Sequence, residues 1–304
     1  MTGARVVAVV VTYHPRYAAL QVLLDRLAPQ VAHTVVIDNT PPAERRPHPS
    51  ARGKEVLIAQ PDNLGIGAAH NAGIAHARAL GATHVLLMDQ DSLPPEHLVA
   101  HLLAALDTAA QPGITAAGPV CQDVKTGRST LLIQRFGLRI RRVCADGWVE
   151  PLPVEYLPAS GMLIPLAMWE RVGPMRAEYF IDRVDVEWCL RARKLGFTVL
   201  AAPSAVMQHD LGQRAFRCLG RTMYVGRDFR AYFHVRNSLA MSLRACIPWV
   251  WRLDQWVKIV PYALLYLLQP EHGRLRMAGL LCRAVWDGVW AHMGRGVFTN
   301  RPLR

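Results

Sequence analysis

Two aspartates one residue apart, Asp89 and Asp91, close the apolar run of "HVLLMDQDS". A buried strand ending in paired carboxylates loads the rim of a sheet with negative charge. Such a pair can hold a hard divalent cation, with phosphate oxygens supplying further ligands. The plainer reading of a lone D-x-D is a solvated turn, and the buried strand before it makes that account poorer. Asp38 ends "HTVVID" in the same way, either as a turn former with Asn39 or as part of the same rim. Three more acids, Asp182, Asp185 and Glu187, crowd "YFIDRVDVEWCLRARKLGF". A positioned carboxylate can take a proton from an attacking hydroxyl. Glu187 can instead pair with Arg191 one helical turn later, and Asp182 can cap the helix.

These side chains need a frame. "RVVAVVVT" (5–12), "HTVVIDN" (33–39), "EVLIA" (55–59) and "HVLLMD" (84–89) read as strands, the most apolar of them covered on both faces. Helical spacing in "YAALQVLLDRL" (17–27) and "IGAAHNAGIAHARALG" (66–81) falls between them. Alternating strands and helices predict an α/β fold with a doubly wound, mostly parallel sheet. Ligands of such sheets bind beyond the carboxyl ends of the strands, where Asp38 and Asp89 fall. From about 121 to 180 the pattern loosens, and "LLIQRFGLRIRRV" suggests a hairpin. A helix over 184–197 and a strand at "TVLAAP" then restore it.

The 304 residues are 51% hydrophobic and 19% charged, a composition that excludes disorder. The net charge of +12 is unevenly spread: residues 1–211 carry 20 basic and 19 acidic side chains, residues 212–304 carry 15 and 4. The last third, at +11, suits a polyanionic partner such as a membrane surface, a pyrophosphate or nucleic acid. There "IPWVWRLDQWVKIVPYALLYLL" (247–268) mixes Trp and Tyr with aliphatics, a pattern favoured at membrane interfaces. Residues 245–290 are therefore expected against anionic lipid, the alternative being an amphipathic helix packed on the main domain. Six cysteines without a CxxC pair fit a reducing cytosol. The apolar run at the N-terminus is too short for a secretory signal, and no stretch of about 20 apolar residues predicts a membrane span.

"VVVTYHP", "VVIDNT", "NLGIGAAHNAGI", "LLMDQDS" and "YFIDRVDVEWCLRARKLGF", in this order over roughly 5–245, resemble family-2 inverting glycosyltransferases of the GT-A fold. "FIDRVDVEWCLR" and "AYFHVRNSL" are most similar to bacterial rhamnosyltransferases, which use dTDP-rhamnose. The resemblance implies a catalytic domain over 1–215, its nucleotide half about 1–120 and its acceptor half about 121–215. A helical, basic, membrane-associated region follows over 216–304. It implies Thr12, Tyr13 and Asp38 at the nucleotide, with Asn63, Gly65 and Asn71 lining the same site. Asp89 and Asp91 match the D-x-D that holds Mg2+ or Mn2+ on the donor pyrophosphate, with Asp91 as the direct ligand and Asp89 on the ribose or a metal-bound water. His209 stands where related transferases keep a metal-binding histidine. Asp185 matches the family base, although Val184 replaces the acid that usually precedes it; Asp182 and Glu187 are the other catalytic candidates. Ser160 and Gly161 of "PASGMLIP", with Trp188, are expected beside the acceptor, and Arg236 on a phosphate.

The function implied is metal-dependent, inverting transfer of L-rhamnose from dTDP-rhamnose to a lipid-linked saccharide in bacterial cell-surface polysaccharide (O-antigen) synthesis. Such an enzyme would be cytoplasmic and peripheral at the inner face of the membrane. Rival readings keep the chemistry with galactofuranose, glucose or N-acetylglucosamine, or make the chain a nucleotidyltransferase. A non-catalytic nucleic-acid-binding protein is a further rival, but no nucleic-acid motif supports it and no nucleic-acid partner is expected.

Overall fold

The computed structural model describes residues 3–46, 54–109, 115–123, 127, 129–209, 214–218, 221–225, 227–268, 270–271 and 273–298. Its central strand, β1 (Val6–Thr12), is buried at every position. Alternate residues feed two cores: Val7, Val9 and Val11 point into one, Val6, Ala8 and Val10 into the other. A strand with no polar face must be covered twice. α1 (Tyr17–Leu27) covers one side, burying Leu20, Leu23, Leu24 and Leu27 at helical spacing.

β2 (His33–Asp38), β3 (Glu55–Ala59), α2 (Ile66–Ala79) and β4 (His84–Asp89) complete the alternating half. β5 (Ser92–Leu93), α3 (Leu98–Asp107), β6 (Thr115–Asp123), the hairpin β7 (Leu132–Phe136) and β8 (Arg139–Val143), and β9 (Leu152–Pro153) come next. Then follow β10 (Leu163–Pro165), α4 (Leu166–Val172), α5 (Val184–Lys194) and β11 (Thr198–His209). The main sheet runs β3-β2-β1-β4-β10-β6-β11-β5, with β9 also on β11. Pairing is parallel except around β10, β5 and β9. The strand expected at "TVLAAP" continues to His209 through an irregularity between Ala202 and Val206.

A second hairpin, β12 (Arg214–Cys218) and β13 (Arg221–Val225), precedes α6 (Asp228–Ser242), α7 (Trp249–Leu268) and α8 (Arg274–Val289). These helices enclose a third core, with Tyr232, Phe233, Ile259, Tyr266 and Leu281 buried in it. Phe180 of the main domain inserts into that core and stacks on Phe233, ring centroids 5.2 Å apart. The C-terminal helices are thereby joined to the segment that leads into α5.

Candidate active site

Parallel register aligns the strand ends: Thr12 lies beside Asp38, and Val11 beside Asp89. A cleft of about 390 Å³ opens beyond them. Tyr13, Asn63, Gly65, Asp89 and Asp91 line it on the sheet side, while Asp182, Asp185 and Arg230 face them. Gln90, between the two aspartates, fastens their loop to the end of β1. Its Oε1 accepts the Tyr13 N–H at 2.7 Å and its Nε2 donates to the Tyr13 carbonyl at 3.1 Å. Gly65 has φ +83°, and a Cβ there would lie 2.5 Å from the Phe180 carbonyl oxygen. That carbonyl accepts the Ile66 N–H at 2.7 Å, so only glycine allows the close approach.

The segment carrying the opposing acids is strained. Phe180, Asp182 and Arg183 have φ of 66°, 64° and 66°, a region costly for residues with a Cβ, on the order of 1–3 kcal/mol each. α6 supplies the compensation. Asn237 Nδ2 donates to the carbonyls of Tyr179, Ile181 and Asp182 at 2.9, 2.7 and 2.9 Å, and Arg236 Nη2 donates to Tyr179 at 2.9 Å. The segment delivers Asp185 in the first turn of α5. There its carboxylate accepts the Val186 N–H at 2.8 Å and the Ala159 N–H at 3.2 Å.

Electrostatics divide the acids. Burial pushes Asp89 up to about 7, helped by the charges of Asp91 and Asp185 and opposed by Arg230. Burial also raises Asp185, against its two backbone hydrogen bonds and with added repulsion from Asp182. For Asp182, burial works the same way, but Arg230 overrides it and holds the carboxyl below its usual range. Arg230 grips both Asp182 oxygens, at 2.6 and 3.3 Å. Asp89, Asp91 and Asp185 share the cleft and offer it only hard oxygen donors, the kind that suits Mg2+ or Mn2+. Among the described residues, however, no group of three or more His, Cys, Asp or Glu side chains is gathered closely enough to hold a metal ion.

Several expected residues are placed elsewhere. Asp38 is buried beside Thr12; it accepts the Thr12 hydroxyl at 3.2 Å and the Thr40 N–H at 2.9 Å, and forms an ion pair with Arg45, whose Nε lies 3.3 Å away. Asn71 does not line the cleft, because its amide clamps the Met175 backbone at 2.8 and 2.9 Å. Glu187 is fully buried between Arg176 and Arg191, each 3.0 Å away, and cannot reach a substrate. Trp188 is likewise enclosed: it stacks on Trp169 and donates to the Gly173 carbonyl at 2.9 Å, which removes it from any acceptor surface. Arg236 is fully buried and donates to the carbonyls of Tyr179 and Gly294, away from the cleft lining. Ser160 supports the D-x-D loop from behind, its hydroxyl 2.7 Å from Ser92 and 3.2 Å from the Asp89 N–H, and Gly161 folds against Pro119. Their loop reaches the cleft through Pro158 and Ala159 instead. His209 closes β11 with its backbone opposite Ser92; its side chain lies outside the described residues.

Arg230 and His70 are among the lining residues that the sequence reading did not single out. Arg230 carried no local signal beyond its place at the start of a helix. His70 did carry one, being one turn after Ile66 on the cleft face of α2. It is fully buried, burial lowers it to about 4, and among the described residues neither ring nitrogen has a hydrogen-bond partner.

The model of the family "Glycosyltransferase like family 2" matches residues 6–236. The chain is 30% identical over 296 residues to the dTDP-rhamnosyl transferase RfbF of Shigella flexneri, covering 97% of this chain and 98% of that protein. It is 25% identical over 279 residues to the galactofuranosyltransferase GlfT1 of Mycolicibacterium smegmatis, covering 86% and 92%. Among solved structures, residues 1–349 of S. aureus TarS with UDP-GlcNAc align with a TM-score of 0.57 at 14% identity, covering 94% of this chain and 81% of that one. GalNAc-T7 with UDP, GalNAc and Mn2+ aligns with a TM-score of 0.55 at 12% identity, covering 84% and 55%.

Proposed function

This chain belongs to glycosyltransferase family 2 and is a glycosyltransferase of the GT-A fold, and from that premise we propose that it transfers L-rhamnose from dTDP-rhamnose, with inversion, to a saccharide acceptor. The observation that carries this reading is the meeting in one cleft of the strand-end pair Asp89 and Asp91 with Asp185, whose proton affinity is raised. A sugar hydroxyl is a poor nucleophile. Asp185, held by two backbone N–H groups, takes its proton as the oxygen bonds to the anomeric carbon and the bond to the nucleoside diphosphate breaks. Attack from the face opposite the leaving group inverts that carbon, so a β-linked donor yields an α-rhamnoside. Thr12, Tyr13, Asn63 and Gly65 hold the nucleotide. Mg2+ or Mn2+, held by Asp91 and Asp89 with His209 as a further candidate ligand, would neutralise the departing diphosphate. Arg230 fixes Asp182 at the acceptor side.

The donor sugar rests on the full-length similarity to a dTDP-rhamnosyl transferase. Galactofuranose is the second reading, favoured by the more distant relative. The acceptor in this proposal is a lipid-linked saccharide of bacterial surface polysaccharide, met at the inner face of the cytoplasmic membrane. Purified protein given a panel of nucleotide sugars, Mn2+ and candidate acceptors should release dTDP from dTDP-rhamnose. Release of nucleotide from UDP-galactofuranose alone would transfer the proposal to the second reading. Unchanged turnover in both Asp91→Asn and Asp185→Asn would end the mechanism.

A further inference from the structure

We propose that the outward face of α7, flanked by the β7–β8 hairpin, is the surface on which this enzyme lies against an anionic lipid bilayer; this rests on the membrane reading above and gives it a location. α7 is apolar on both sides. Inward, Trp251, Ile259, Leu265 and Tyr266 are buried. Outward, Trp249, Leu253, Trp256, Val260 and Leu264 remain 47–61% exposed. These positions recur every three or four residues, so they form one stripe along a helix about 30 Å long. Arg252, Asp254 and Lys258 all lie off that stripe by helical phase, and Lys258 Nζ is closed on Asp254 at 2.6 Å. A helix apolar all round is ordinarily covered all round. Among the described residues, no helix is long and apolar enough to cross a membrane. The uncovered stripe therefore suits a helix lying in the interface plane.

The hairpin is tied to this helix from its buried side, through Trp251 and beside Lys258. Glu155 accepts Trp251 Nε1 at 2.6 Å and Arg135 Nε at 3.3 Å, linking α7 to β7. Arg142 of β8 stands near enough to Lys258 to add to the effect of burial in lowering that ammonium's pKa. At the hairpin tip Phe136 and Leu138 are 56% and 67% exposed, and Arg139, Arg141 and Arg142 are exposed behind them. Residues 131–143 contain four arginines and no acid. An apolar tip with a cationic shaft complements anionic headgroups over an apolar interior. A second copy of this chain is the poorer occupant, because it would bring the same positive charge against itself.

Flotation of the full-length protein tests this with vesicles of phosphatidylcholine alone or mixed with phosphatidylglycerol. The protein should float with the anionic vesicles and only weakly with the neutral ones. The triple variants Leu253→Ser/Val260→Ser/Leu264→Ser and Arg139→Glu/Arg141→Glu/Arg142→Glu should each reduce the floated fraction about tenfold. Both should keep the wild-type melting response to dTDP, which reports an intact cleft; a wild-type protein without that response would count against the donor reading and not against this surface. The inference fails if the wild type floats with neither vesicle or equally with both, or if the variants float like it. It also fails if α7 mediates a dimer that its variant dissociates without loss of lipid binding.

Discussion

Asp185 shows what a single residue contributes that its neighbours cannot. Glu187, two positions on, is equally acidic but points into the core between two arginines, whereas Asp185 lines the cleft with its carboxyl raised by burial. Asp185→Asn keeps the size of the side chain but only one of its two backbone contacts, since those N–H groups bond different carboxylate oxygens, and it removes the proton acceptor. Turnover should fall by about 10²–10⁴-fold while dTDP affinity, measured by calorimetry, stays unchanged. Asp89 offers a pH test. Burial pushes its carboxyl up to about 7, so as the pH falls through that range a proton competes with a bound cation. Mn2+ affinity should weaken as the pH falls from 8 toward 6, on the order of tenfold per pH unit once Asp89 is mostly protonated, and Asp89→Asn should flatten the profile. A flat profile in the wild type would mean either that the Asp89 carboxyl is not raised into this range or that it does not hold the cation.

At the scale of elements, the cleft depends on a helix that contributes little to its lining. α6 holds residues 179–182 through Asn237 and Arg236, so an amide on one helix offsets backbone strain in another segment. Asn237→Ala should lower stability by about 1–3 kcal/mol, since three carbonyls lose a donor. It should also reduce kcat more than donor affinity, because Asp182 and Asp185 are displaced while Thr12 and Asn63, which Asn237 does not touch, are not. Equal losses in both would mark Asn237 as structural only. Gly65→Ala should act oppositely. Its Cβ would overlap the Phe180 carbonyl at 2.5 Å, so nucleotide binding should fail before chemistry does, as a lost dTDP melting shift would show. The pairing of Arg236 with Asn237 was legible as a motif. Its job was not, because sequence shows which groups a helix offers and not which backbone lies against them.

The whole molecule joins two cores across a sheet to a third among the C-terminal helices, and its response to acid follows from groups in two of these regions. His70 and His234 are lowered by burial to about 4 and about 3, the second also by Arg183. Unfolding lets both take protons below about 6.5, so their contribution is intact above that pH and is lost as the pH falls toward 4 and 3. His70 alone represents on the order of 3 kcal/mol across that window. Asp89 runs the other way: the folded state binds its proton more tightly, so stability from this group declines as pH rises from about 4 to 7. Urea unfolding at a series of pH values should therefore show a shallower acid loss in His70→Gln than in the wild type and a steeper one in Asp89→Asn. The same slope in all three would mean that these burials do not persist in solution.

Much of this was written in the chain. Val-rich β1 could only be a doubly covered strand, and the order of apolar runs ending in Asp38 and Asp89 required parallel strands with acids at one edge. Periodicity and strand-end chemistry are local, so sequence determines them, and with them the family and the cleft's position. Tertiary packing decided which of two close neighbours looks into that cleft: His70 and not Asn71, Arg230 and not Arg236, Asp185 and not Glu187 or Trp188. A helix turns 100° per residue, so this choice depends on how the helix is rolled against its partners. The left-handed backbone at Asp182 and Arg183 belongs to the same category, because hydrogen bonds and an ion pair from α6, distant in sequence, hold it.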